Sequence, residues 1–206
     1  MAKKTNKKTS REASGKAPAK AATKKAGRAK PAATPRAKQP RSAAKAAAKA
    51  YALTEGMAAP AFRLPRDDGD SVALKDFAGR NLILYFYPRA NTPGCTLEAA
   101  DFTRLKARFE ALQTAILGVS ADPQAALQRF RKTHALGIGL ASDETLAMLK
   151  AYGVWGQKSF MGKSFEGILR TTVWIDPKGR IARIWRNVKV PGHAEAVLEA
   201  IGEAFS

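Results

Sequence analysis

The sequence predicts an α/β fold: a mixed sheet with helices on both faces, carried behind a basic tail. Three observations predict it. The run Leu82-Ile-Leu-Tyr-Phe-Tyr87 is apolar without interruption, as a central strand covered on both faces requires. Stretches of helical period alternate with it and with a second apolar run, Ala115-Ile-Leu-Gly-Val119. The charge is also uneven: residues 1–50 hold 16 Lys and Arg against one acid, Glu12, whereas residues 51–206 hold 20 against 16, within a net charge of +19. The basicity therefore belongs to one end of the chain, and the rest is an ordinary, mildly basic body.

Residues 1–50 contain no Leu, Ile, Val, Phe, Tyr or Trp. Without large apolar side chains they cannot offset the entropy of ordering a backbone, so a disordered tail is expected. Pro18, Pro31, Pro35 and Pro40 break any long helix. The Lys/Ala/Pro composition resembles linker-histone tails, which implies nonspecific nucleic-acid contact by phosphate neutralisation without base reading. The competing reading is a solubilising arm. The tail has no apolar centre for a secretory signal and meets an organellar transit pattern only in part. The expected location is cytoplasmic, and nucleoid-associated if the tail meets DNA.

The body, residues 51–206, is long enough for a single core. Phe62-Arg-Leu64 and Ser71-Val-Ala73 read as short strands around the turn Asp67-Asp-Gly-Asp70. The central strand at 82–87 comes next, then a helix with Leu97, Phe102, Leu105, Phe109 and Leu112 at near-helical spacing, then the strand at 115–119. Two helices are expected around Pro123–His134 and Asp143–Tyr152. Thr171-Thr-Val-Trp-Ile175 and Ile181-Ala-Arg-Ile-Trp-Arg186 flank Asp176-Pro-Lys-Gly179, a hairpin signal. A closing helix presents Val197, Leu198, Ile201 and Phe205 on one face. Strand, helix, strand, helix, hairpin and helix in this order give the mixed sheet of a thioredoxin-like fold.

Composition excludes several classes. One cysteine, Cys95, rules out an intrachain disulfide framework and a Cys-rich zinc site. Two histidines, His134 and His193, make a multi-histidine metal centre an unfavoured reading. No apolar run reaches the roughly 18–20 residues of a membrane-spanning helix.

Cys95 follows the central strand and opens a helix, where free N–H groups and a partial positive charge favour a thiolate. Thr92, three residues earlier, can approach the sulfur or cap the helix. A lone cysteine is commonly an inert, buried small hydrophobe. Against that stands its place beyond the carboxyl end of a buried strand, where the sites of open α/β sheets gather.

Pro88-x-x-x-Thr92-x-x-Cys95 matches the active-site motif of peroxiredoxins. Tyr85-Phe-Tyr-Pro88 through Asn91-Thr-Pro-Gly-Cys-Thr96 resembles the bacterioferritin-comigratory-protein, or PrxQ, subfamily. Ala59-Pro-Ala-Phe62, Gly118-Val-Ser-Ala-Asp-Pro123, Leu140-Ala-Ser-Asp143, Gly167-Ile168-x-Arg170 and Gly192-His-Ala-Glu195 extend the likeness over the body. The resemblance implies a thiol-dependent peroxidase acting on hydrogen peroxide and organic hydroperoxides, with no cofactor and no metal. Cys95 is then the peroxidatic nucleophile, oxidised to a sulfenic acid. Thr92 hydrogen-bonds thiolate and peroxide, Arg170 supplies a fixed cationic fork, and Pro88 shields the pocket. Without the resemblance, Arg170 reads as a surface ion pair. Arg89 adds positive potential or is solvated, Glu98 favours the helix dipole, Trp155 packs, and His134 and His193 are surface or structural.

The chain departs from the subfamily at Ala100, where many members carry a resolving cysteine. An intramolecular disulfide is thereby excluded, and the sulfenic acid must be reduced by an external thiol such as thioredoxin, or glutaredoxin with glutathione. Two rival readings are a nucleic-acid-associated redox sensor using the basic tail, and a holdase indifferent to Cys95.

Overall fold

The computed structural model describes residues 53–160 and 163–204. The basic tail, its boundary at residues 50–51 and Phe205 lie outside the described residues. A first hairpin pairs β1 (Arg63–Pro65) with β2 (Ser71–Ala73), and a short 3₁₀ turn, Leu74–Phe77, leads into the main sheet. That sheet is built from β3 (Asn81–Phe86), β4 (Thr114–Ser120), β5 (Gly139–Ser142), β8 (Thr171–Ile175) and β9 (Ile181–Arg186), in the order β5-β4-β3-β8-β9. β3, β4 and β5 are parallel, while β8 and β9 run antiparallel to their neighbours. A separate hairpin pairs β6 (Trp155–Phe160) with β7 (Lys163–Ile168). The helices are α1 (Pro93–Ala111), α2 (Gln124–His134), α3 (Ala147–Ala151) and α4 (His193–Glu203).

The central position of β3 explains its composition. Every residue of it is buried, because both faces are covered. Strand alternation sends Ile83 and Tyr85 to one side and Leu82, Leu84 and Phe86 to the other. On the first side they meet Phe102 and Phe109 of α1, Leu127 and Phe130 of α2, and Val197 and Ile201 of α4. On the second they meet Phe62, Leu64, Leu149, Tyr152 and Ile181. Gly118 lies beside Tyr85 in the parallel register, and a Cβ there would fall 2.5 Å from the Tyr85 hydroxyl, so the ring needs glycine at that position.

The expected thioredoxin-like arrangement is observed, with four corrections. Leu97 is 45% exposed. It precedes Phe102 by five residues, which turns it well off the buried stripe of a 3.6-residue helix. The helix expected at Asp143–Tyr152 is only Ala147–Ala151. Asp143 accepts from Thr145 Oγ1 at 2.8 Å and from the Leu149 N–H at 2.9 Å, and this local bonding holds the first residues in a turn. Strand β5 and the β6–β7 hairpin were not legible in the sequence. β5 is four residues without a β-branched side chain, and the hairpin is rich in Gly, Lys and Ser with no clean alternation.

Candidate active site

Chain order carries the backbone from β3 through residues 87–92 into α1, at the carboxyl ends of the parallel strands. Pro93 occupies the first turn of α1, where its missing N–H is no loss, and Thr92 is the extended N-cap residue. Cys95 therefore sits in the first turn, among backbone N–H groups that have no intrahelical acceptor. Its side chain is 1% exposed.

Arg170, between β7 and β8, reaches this turn. Its Nη2 donates to Cys95 Sγ at 3.2 Å, and its Nη1 donates to Glu98 Oε2 in an ion pair. A Cβ at Gly94 would stand 3.5 Å from Arg170 Nη2, an ordinary contact, so the guanidinium lies close over the first turn of α1. The backbone that carries the guanidinium is fixed on both sides. The Leu169 N–H donates to Val154 O at 2.7 Å, and Arg170 O accepts from the Val188 N–H at 3.1 Å. The expected surface ion pair is thus a partly buried fork serving two acceptors on one helix face.

Glu98 corrects a reading made from position alone. It is a buried partner of Arg170, 1% exposed, and not merely a charge near a helix start. Burial pushes its carboxyl up to about 7 against the opposing charge of Arg170. Its other oxygen, Oε1, is buried with no hydrogen-bond partner among the described residues. Its signal in the sequence is the three-residue step from Cys95, which puts both groups on one helix face.

The remaining candidates divide. Pro88 is half-buried at the start of the loop. The Thr92 hydroxyl donates to Arg89 O at 2.9 Å and makes neither a cap bond nor a bond to Cys95. Arg89 is exposed, and Trp155 packs at the edge of the second core cluster. His134 bonds Asn91 Oδ1 at 3.1 Å, across to the loop. His193 is structural and buried: it bonds Thr172 Oγ1 at 2.8 Å, with its ring edge-on to Phe102 and Trp185. Burial first, and the Arg170 charge second, push its imidazolium down to about 4.

Sequence reasoning missed Asp122. Its Oδ2 accepts from the Ala90 N–H at 2.7 Å and from Ser120 Oγ at 2.9 Å. Ser142 Oγ donates to Asp122 O at 2.7 Å. The Asp122 carboxylate thus ties the Pro88–Thr92 loop to the end of β4, and the backbone carbonyl of the same residue is tied to β5 by Ser142. The signal was the acid just past the carboxyl end of a buried strand, beside the loop that presents the cysteine.

Residues 56–184 match the AhpC/TSA family. The chain belongs to this family and is a thiol peroxidase. It is 40% identical over 149 residues to a putative peroxiredoxin bcp of Helicobacter pylori, covering 72% of this chain and 98% of that one. It is 39% identical over 151 residues to peroxiredoxin Bcp of Escherichia coli, covering 73% and 97%. Among solved structures it resembles the bacterioferritin comigratory protein of Xanthomonas campestris (36% identity, TM-score 0.67, 70% and 92% covered), described for its alkyl peroxide reduction activity. A cysteine-to-serine mutant of PrxQ from Xylella fastidiosa is also similar (33% identity, TM-score 0.72, 75% and 98% covered). Among the described residues no helix is long and apolar enough to cross a membrane.

Proposed function

We propose that the chain reduces hydrogen peroxide and organic hydroperoxides in a one-cysteine cycle at Cys95. The observation that carries this is the sole cysteine of the chain lying 3.2 Å from a guanidinium fixed by Glu98. The Cys95 thiolate attacks the terminal peroxide oxygen. An S–O bond forms, the O–O bond breaks, and the leaving alkoxide or hydroxide takes a proton to become alcohol or water. Arg170 steadies the charge that moves from sulfur to the leaving oxygen. Thr92 turns its hydroxyl from Arg89 O toward the peroxide, and Pro88 keeps bulk water off the sulfur. The alkyl peroxide reduction of the Xanthomonas relative supports the organic substrates.

With Ala100 at the subfamily's resolving position, an external thiol attacks the sulfenic acid, releasing water and leaving a mixed disulfide. A second thiol frees Cys95. Thioredoxin, or glutaredoxin with glutathione, is the class of donor this requires. The site of action is the cytoplasm, with residues 1–50 a separate cationic tail ahead of the catalytic domain at 51–206. The +15 carried by those 50 residues favours a second role, loose attachment to nucleic acid.

The test is peroxide consumption with thioredoxin and its reductase, and in parallel with glutaredoxin and glutathione. Sustained turnover by the native protein and none by Cys95→Ser is the expected result. A single stoichiometric burst with every donor would instead favour the redox-sensor reading.

A further inference from the structure

We propose that Lys158 is a positioning residue of this site, the second cation that balances the Cys95 thiolate while Arg170 is engaged by Glu98. The inference rests on the peroxidase reading above. Lys158 lies on β6, opposite Phe165 of β7. Its stem crosses Gly167 so closely that a Cβ there would stand 3.3 Å from Lys158 Cδ. Its Nζ donates to Ile168 O at 2.8 Å. Ile168 is two residues ahead of Arg170, whose Nη2 is 3.2 Å from the sulfur. The ammonium is thus held on the same short stretch of backbone that delivers the guanidinium.

Counting charges shows the need. Arg170 carries one positive charge and serves two acceptors, Glu98 and Cys95. Above about pH 7, where Glu98 is ionised as well, one cation faces two anions in a half-buried site. Lys158 makes no ion pair of its own among the described residues, so its charge is free to act on the site. Its ammonium is pushed down by burial first and by Arg170 second, and is pulled up by Cys95. Of the neighbouring titratable groups, Arg89 of the loop is exposed to solvent. His193, on α4, is neutral above about pH 4, and Glu166 of β7 is exposed and accepts from Trp155 Nε1 at 3.4 Å.

The experiment reads thiolate absorbance near 240 nm against pH in the native protein, Lys158→Met, Lys158→Gln and Lys158→Arg, with Cys95→Ser as blank. Lys158→Met and Lys158→Gln are expected to displace the curve to higher pH by about half a unit to one unit, and Lys158→Arg to restore it. The second-order rate with hydrogen peroxide at a pH on the rising limb is expected to fall about threefold to tenfold in the first two, in step with the thiolate. An unmoved curve in Lys158→Met overturns the inference. So does a native curve in Lys158→Gln, which would leave only the hydrogen bond to Ile168, or an equal displacement in Lys158→Arg, which would leave only packing. The titration needs no turnover. A native protein with a normal thiolate curve but no reaction with peroxide therefore defeats the peroxidase reading and leaves this one to be judged on its own.

Discussion

Arg170 and its two acceptors make the site's charge state depend on a carboxyl that is itself costly to ionise. Arg170→Met is expected to lower the rate with hydrogen peroxide about 100-fold to 1,000-fold, the loss of one preorganised charge donor, as measured by stopped-flow fluorescence. Glu98 also links folding to pH. Its folded carboxyl titrates at about 7 against 4.5 unfolded, so the folded state binds the proton more tightly. Stability from this group is full below pH 4.5 and is lost as pH rises through 7, by about 3 kcal/mol. His193 acts in the opposite sense. Its imidazolium is depressed from 6.5 to about 4, so its contribution is present above pH 6.5 and lost as pH falls through 4. The two slopes oppose each other across the overlapping window. In urea denaturation at a series of pH values, Glu98→Gln is expected to gain on the native protein between pH 4.5 and 7. His193→Gln is expected to lose less than the native protein on acidification from 6.5 to 4.

At the scale of elements, the loop from Pro88 to Thr92 is held chiefly from outside itself, by Asp122 and His134. Asp122→Ala is expected to slow peroxide reduction and to cost about 1–3 kcal/mol, the loss of a carboxylate that two donors need, read as a lower urea midpoint. Gly118→Ala forces a methyl into the Tyr85 ring and is expected to cost about 1–3 kcal/mol with the site chemistry intact. These elements also show what the sequence makes legible. Uninterrupted apolar runs revealed β3 and β4, and the Asp-Pro-Lys-Gly turn revealed the β8–β9 hairpin, because burial and turn chemistry leave local marks. The proposed set of Pro88, Thr92, Cys95 and Arg170 was suggested only by likeness to a family. The Arg170–Glu98 bond joins residues 72 apart, and Asp122 meets Ala90 across 32, so no local pattern encodes either. The β6–β7 hairpin, which carries Lys158, has its pairing set by backbone and left no periodic trace.

At the scale of the whole molecule, the charge asymmetry separates the proposed attachment to nucleic acid from the proposed chemistry. Removing residues 1–50 is expected to leave the peroxide rate within about twofold, since the body keeps its near-balanced charge, and to abolish the proposed salt-dependent attachment to DNA. Gel-shift titrations at several salt concentrations check this. The burial of the lone sulfur has a kinetic consequence as well. In the proposed one-cysteine cycle, oxidant and reductant use the same doorway, one after the other, because the chain offers no second sulfur to carry oxidation to another face. Initial-rate plots against peroxide at several reductant levels should therefore be parallel lines, and a bulky occupant of either kind should keep the other waiting outside.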